Sequence, residues 1–315
     1  MTCTVENVRP ANALQQRSEL VKIAPFHSLD VFRGLAALWV VMTHACTPYI
    51  ATVGYPYQPY LSNPIYAFSV YGQLGVVLFF VISGYCIAGA AYGSIRVAKQ
   101  PKRFLFERIR RIYPPYFACC VLAIGVAAVV GFAVKLHLLQ VGHLKLLSSF
   151  SFTYWFANLS ITQMELSQES LVIVFWTLSY EVAFYAIVFL FLQSAHLIEK
   201  TKARRWTSLA AFLNITTFVS LILKLTPAAK LSFFPLDLWW QFGLGALLFQ
   251  VVAAQTTTEK KKSVGLFVAC LLLVGALAIT SPNNGSLGHP SHKLQAIVCL
   301  GFGLLLAALH GRERR

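Results

Sequence analysis

Eight apolar runs, each close to the ~20 residues that carry a helix across a bilayer, divide the chain at 30–49, 70–91, 114–134, 170–192, 207–226, 236–254, 264–281 and 294–310. Polar connections separate them, and no internal repeat or linker marks off a second folding unit. This pattern predicts an all-α polytopic transmembrane helix bundle of about eight spans. Residues 1–28 are polar, carry Arg9, Arg17 and Lys22, and lack the apolar core and cleavage site of a signal peptide. They are read as a cytoplasmic N-terminal segment ahead of one membrane-embedded domain over 29–311. The aromatic segment 142–160 is too polar for a span and is expected to be an interfacial or re-entrant piece.

Charge fixes the expected orientation. The chain carries 26 Lys and Arg against 11 Asp and Glu, a net charge of +15. In a soluble protein this excess would point to nucleic acid. Here 21 of the 26 basic residues fall in alternate connections and at the termini, which is the positive-inside pattern and places both termini in the cytoplasm. Nucleic-acid binding is therefore not expected. The hydrophobic share of 57% and mean hydropathy of +0.65 support the membrane reading. The seven cysteines form no Cys-x-x-Cys pair and the eight histidines no His-Glu-x-x-His spacing, so they predict neither a disulfide framework nor a metal site.

Three clusters interrupt the apolar pattern where charge is expensive. The first span opens with Asp30 and Arg33 and holds His44 about 16 Å further along the helix. Arg108 and Arg111 lie one turn apart in Arg103-Phe-Leu-Phe-Glu-Arg-Ile-Arg-Arg-Ile-Tyr-Pro-Pro, where Pro114 is expected to begin the third span and the guanidiniums suit a phosphate cluster. Their other reading is a positive-inside stop signal. The fourth span contains Trp176-Thr-Leu-Ser179-Tyr-Glu181, whose carboxylate is expected roughly 15 Å below the outer surface with a partner inside the bundle. Ser83-Gly84 lacks the glycine pattern of a nucleophile elbow and is read as a close helix approach.

In their order and spacing these motifs, together with Gly75-Val-Val-Leu-Phe-Phe-Val-Ile-Ser83-Gly84, resemble the acyltransferase-3 family of integral membrane acyltransferases. The likeness runs over about residues 28–190. Two departures are Thr177, where the family usually has Ser, and eight spans where members commonly have ten. The resemblance implies a multi-pass protein of a bacterial inner (plasma) membrane. Such a protein moves an acyl group, usually acetyl, from cytoplasmic acyl-CoA to a hydroxyl of a carbohydrate or of a cell-envelope or exported glycan. Carried over, His44 is the essential histidine, Arg33 its partner in the Arg-x10-His motif, and Arg108 and Arg111 the basic pair near the CoA. Trp176 and Glu181 match the later motif, and Asp30 and Ser179 stand with them as substrate-binding or site-shaping residues. No metal is implied, and the oligomeric state is left open.

A thioester is already activated, so the chemistry needs a base for the hydroxyl, an aligned donor and stabilisation of an oxyanion. His44, oriented by Glu181 or another acceptor, serves as general base or as transient acyl carrier. The rival class is a transporter in which His44 and Glu181 relay protons. The basic-residue asymmetry makes one direct prediction: cysteines introduced in 50–68 and 283–292 label from outside, whereas those in 94–107 and 256–262 are protected. External labelling of 94–107 would reverse the orientation and remove the arginines from the cytoplasmic side.

Overall fold

The structure is a computed structural model, and it describes residues 26, 28–53, 64–138, 151–226, 233–283 and 291–313. All the regular structure among these is helical. In chain order the helices are α1 (Ser28–Val53), α2 (Pro64–Val70), α3 (Leu74–Arg96), α4 (Pro101–Lys135), α5 (Phe152–Ser160), α6 (Trp176–Ile198), α7 (Lys202–Leu225), α8 (Leu236–Ala253), α9 (Thr257–Thr280) and α10 (His292–Glu313), with a 3₁₀ turn, Ile173–Phe175, leading into α6. Seven of them, α3, α4, α6, α7, α8, α9 and α10, are long and apolar enough to cross a membrane. With α1, 26 residues long, these are the eight long helices expected. The segment 1–25, including Arg9, Arg17 and Lys22, and residues 142–150 of the aromatic stretch lie outside the described residues.

Several boundaries differ from the sequence reading. The third span does not begin at Pro114: α4 is one helix of 35 residues with Pro101 in its first turn and Pro114 and Pro115 inside it. An internal proline removes an N–H and crowds the carbonyl four residues back. Both prolines are exposed, so the freed carbonyls are not trapped in a packed core. The expected 92–113 loop is thus only the turn 97–100, and the arginines sit on helix. Glu107 accepts from Lys99 (3.0 Å) across this turn and from Arg103 (3.2 Å) four residues back on α4, partly exposed pairs worth under ~1 kcal/mol each. Residues 152–160 of the predicted interfacial piece form α5, capped at Ser151, whose side chain accepts from the Tyr154 N–H.

α8 is the centre of the bundle. Its sequence, Leu-Asp-Leu-Trp-Trp-Gln-Phe-Gly-Leu-Gly-Ala-Leu-Leu-Phe-Gln-Val-Val-Ala, is apolar on all sides, and Trp239 to Gln250 are buried without a break, as expected of a helix surrounded by others. Two glycines open opposite sides of it, since two residues advance about 200° around a helix. A Cβ on Gly245 would strike the carbonyl of Val81 in α3, and one on Gly243 would strike Thr217 in α7. α3 answers in kind, because a Cβ on Gly84 would strike the carbonyl of Phe242. Ser83-Gly84 therefore marks a close helix approach, as the sequence indicated. Around this crossing stack Phe80, Phe184 and Phe242, with centroids 4.6 Å (Phe80–Phe242) and 3.5 Å (Phe184–Phe242) apart.

α1 joins α3 by the same device. A Cβ on Gly75 would sit 2.7 Å from the Ala36 carbonyl, and Ala36 is fully buried. Trp39 Nε1 donates to the Phe68 carbonyl at 2.7 Å, and its ring stacks on Phe68 at 4.8 Å, fixing α2 against α1. α4 is peripheral: Val121, Leu122, Val126, Val129 and Phe132 are all exposed, an apolar face suited to lipid.

These contacts separate two kinds of glycine. Gly84→Ala should destabilise by about 1–3 kcal/mol or more, because a backbone carbonyl cannot give way as a side chain can. Gly93→Ala, with nothing within 4 Å of its Cβ, should be neutral or slightly stabilising. Thermal unfolding of both variants in one detergent checks the contrast; equal midpoints would remove the close approach as a determinant.

Candidate active site

Three helices present matching stripes to one cleft. On α1 the eleven-residue step from Arg33 to His44 is three turns within about 20°, so both lie on one face, with Ala37, Val40 and Val41 between them. On α3 the half-buried residues Val76, Phe79, Ser83 and Cys86 recur at three- and four-residue steps. On α6 Thr177, Glu181 and Tyr185 follow one another at four-residue steps. At one end of this seam lies a cavity of about 570 Å³ lined by Ala37, Val40, Val41 and His44 of α1, Gln73, Val76 and Phe79 at the start of α3, and residues 173–178, Trp176 and Thr177 among them.

His44 is half-buried at this cavity, and its Nδ1 lies 2.8 Å from the Val40 carbonyl one turn back. A carbonyl only accepts, so Nδ1 carries the hydrogen and the neutral ring presents Nε2 as a bare acceptor. The orienting group is thus a backbone carbonyl and not Glu181. Trp176 packs edge-on against Phe80 and Tyr180. Thr177 donates to the Val174 carbonyl at 2.9 Å, holding the turn that closes the cavity.

Glu181 lies five residues, about 7.5 Å, past the start of α6 at Trp176. Its Oε1 accepts from the Tyr185 hydroxyl at 2.5 Å and from Ser83 Oγ at a long 3.5 Å. Tyr185 leads to the arginines. The Arg108 guanidinium lies 6.0 Å from the Tyr185 ring centroid and 5.9 Å from that of Phe104, cation–π geometry. Its Nε is buried with no partner among the described residues. Arg111, within electrostatic reach of the Tyr185 hydroxyl, is exposed. Arg108 is thus half-buried and Arg111 exposed, with both near the Tyr185 hydroxyl. Arg33 donates to Asp30 Oδ1 (3.2 Å) and to Cys86 Sγ (3.4 Å), and Asp30 itself is mostly exposed.

A family model described as an acyltransferase domain matches residues 26–315. The chain belongs to the acyltransferase-3 family. It is a multi-pass integral membrane acyltransferase, and of the motifs that carried the resemblance Arg33, His44, Ser83, Thr177 and Glu181 fall on the stripes of the cleft. The match extends the likeness well past residue 190, where hydropathy alone had been legible. No curated protein and no solved structure matches the chain.

Ser179 of this acyltransferase has a different place from its motif neighbours. It is fully buried and donates to Gln163 Oε1 at 2.9 Å. Gln163 Nε2 donates in turn to the Tyr116 hydroxyl and to Asn158 Oδ1, both at 3.3 Å, and Asn158 holds the Glu169 carbonyl and the Leu171 N–H. This network ties α4, α5 and the loop before Ile173 to α6, so Ser179 shapes the cavity wall without lining it. Tyr185, Gln73 and the Val40 carbonyl were missed from sequence. Only Tyr185, four residues after Glu181 on the same face, left a usable signal.

The geometry separates the two serine and tyrosine roles. Ser179→Ala should strand the Gln163 oxygen and cost about 1–3 kcal/mol of stability. Tyr185→Phe should change stability less but weaken donor binding, since it loosens both Glu181 and the ring beneath Arg108. Melting curves and donor titrations on the two variants test this; a destabilised Tyr185→Phe with normal donor binding would return that residue to the core.

Proposed function

We propose that this acyltransferase moves an acyl group, most simply acetyl, from acyl-CoA in the cytoplasm to a hydroxyl of a carbohydrate or exported cell-envelope glycan, with His44 as the reacting base. The observation that carries the reading is the Nδ1 contact with the Val40 carbonyl, which leaves Nε2 of His44 bare beside a cavity of about 570 Å³. Nε2 takes the acceptor's proton, and the oxygen adds to the thioester carbonyl. The tetrahedral oxyanion then collapses, the C–S bond breaks, and the thiolate leaves with the proton returned from His44. In the covalent variant Nε2 itself adds to the carbonyl, and the acceptor attacks the acyl-imidazole.

The seam between α1, α3 and α6 suits an extended pantetheine arm. Its half-buried face runs from the cavity past Ser83 and Glu181 to Cys86 and Arg33. The unpartnered Nε of Arg108 and the exposed Arg111 are donors for the nucleotide phosphates, and Arg33 has donors to spare beside a weak sulfur acceptor. The basic end of the bundle then faces the donor compartment. Glu181, with no hydrogen bond to His44 among the described residues, supports the tyrosine and serine that line the seam. The rival transporter reading would have His44 and Glu181 exchange protons; the contacts here are His44 Nδ1 with the Val40 carbonyl and Glu181 with the Tyr185 hydroxyl.

His44→Ala should abolish acyl transfer while acyl-CoA binding and melting temperature stay near wild type. The lost bond is to a carbonyl, worth at most about 1 kcal/mol. Activity, CoA affinity and melting temperature measured on one preparation check this, and substantial residual transfer would overturn it. Arg108→Lys keeps the charge but loses the planar fork, so donor affinity should fall by about 1–3 kcal/mol with topology intact.

A further inference from the structure

A second cavity opens at the basic end of the bundle, on the side of α3 turned away from the cleft. Six residues separate Cys86 from Tyr92, placing them about 120° apart around the helix. The cavity, about 150 Å³, lies between the end of α3, the first turns of α7 and α9 and the end of α8. That is roughly ten times the space one water needs. Unlike the centre of the bundle, it is lined by polar groups on one side and aromatic rings on the other.

Gln250 Nε2 donates to Asn214 Oδ1 at 3.0 Å. The bond uses Gln250 Nε2 and Asn214 Oδ1, so among the described residues it leaves the donor Asn214 Nδ2 and the acceptor Gln250 Oε1 uncommitted on two side chains that both line the cavity. Trp206 and Tyr92 pack ring against ring at 4.3 Å. Tyr92 is only 2% exposed, and its hydroxyl is buried with no partner among the described residues, an arrangement that costs free energy unless something completes it. At the rim Lys262 is exposed on the first turns of α9. Glu259 beside it is already committed, its Oε2 accepting from the N–H groups of Gln255 and Thr256.

We propose that this cavity binds the adenine base of a nucleotide. A neighbouring amide donor and acceptor read the N6 amino group and the adjacent ring nitrogen of adenine, as a single Asn or Gln does in nucleic-acid recognition. The Trp206 ring supplies a stacking surface, and Lys262 stands where a diphosphate would leave the pocket. Two sources share this chemistry: the adenosine diphosphate end of acyl-CoA, which would rest on the reading of the cleft given above, and a free adenine nucleotide, which would not.

The test uses the full chain purified in detergent, with adenosine, ADP and CoA as probes and equilibrium binding and tryptophan fluorescence as readouts. ADP and CoA should both bind, and Asn214→Leu and Gln250→Leu should weaken them tenfold or more. Lys262→Ala, on an exposed turn that cannot disturb the core, should weaken ADP and CoA but not adenosine. Trp206→Phe should remove the fluorescence change. Mutual competition of ADP and CoA assigns the donor's base to the site; ADP binding indifferent to CoA assigns a free nucleotide. Absence of ADP and adenosine binding, or affinities untouched by both Asn214→Leu and Lys262→Ala, would overturn the proposal. In that case CoA binding that still falls in Arg108→Lys leaves the His44 reaction standing, whereas loss of acyl transfer as a whole would be seen in the activity assay and not here.

Discussion

The whole bundle depends on how closely α3 can approach α8. Lipid tails are as apolar as leucine, so burial alone does not press helices together in a membrane; packing and the removal of side-chain bulk must do it. Gly84 against the Phe242 carbonyl, and Gly245 against the Val81 carbonyl, bring two backbones into direct contact in both directions. Large aromatic rings gather around that crossing. Phe80, Phe184, Trp239 and Phe242 stack about it, and such a collar fits only if the backbones meet where the glycines are.

The cleft follows from this crossing. With one face of α3 clamped to α8, its opposite, half-buried face is turned toward α1 and α6. Gly75 then draws α1 in against Ala36, which puts Arg33 and His44, three turns apart, along the same seam. The buried network of Ser179, Gln163, Asn158 and Tyr116 does the corresponding work for α6, seating the turn that carries Trp176 and Thr177. Polar groups inside a membrane are costly unless satisfied. Here the network of Ser179, Gln163, Asn158 and Tyr116 is satisfied and sits behind the cavity, while Nε of Arg108 is buried at the seam with no partner among the described residues.

This division also explains how charge is tolerated. Glu181 is held by the Tyr185 hydroxyl and leans on Ser83, and Arg108 lies over the Tyr185 ring, so the carboxylate and the guanidinium are linked through one tyrosine and form no direct ion pair. A direct buried pair would have to offset a desolvation cost of several kcal/mol for each ion. A bridge through an aromatic hydroxyl keeps the arginine's hydrogen-bonding edge open for an anion.

Much of this was legible in the sequence for a simple reason: spans, the basic asymmetry and motif spacing are properties of one helix at a time. A run of apolar residues must become a helix in lipid because its backbone has no other partner. The eleven-residue step from Arg33 to His44 fixes a shared face before any tertiary contact forms, and Ser83-Gly84 announced a close approach by lacking side-chain volume. What the sequence left open concerned contacts between helices and the exact start of each one. Pro114 looked like a helix start, yet α4 runs through it, because an exposed proline leaves its freed carbonyl accessible. Glu181 looked like the partner of His44, yet hydropathy says nothing about which way a helix is turned. Glu181 instead takes the Tyr185 hydroxyl one turn along its own helix, and the packing of α6 against α3 and α4 adds Ser83 and the Arg108 guanidinium over the Tyr185 ring. The imidazole is left to the carbonyl of its own helix. The cavity between α3, α7, α8 and α9 was likewise invisible, since Tyr92, Asn214, Gln250 and Lys262 are scattered over 170 residues of chain and meet only where four helix ends converge.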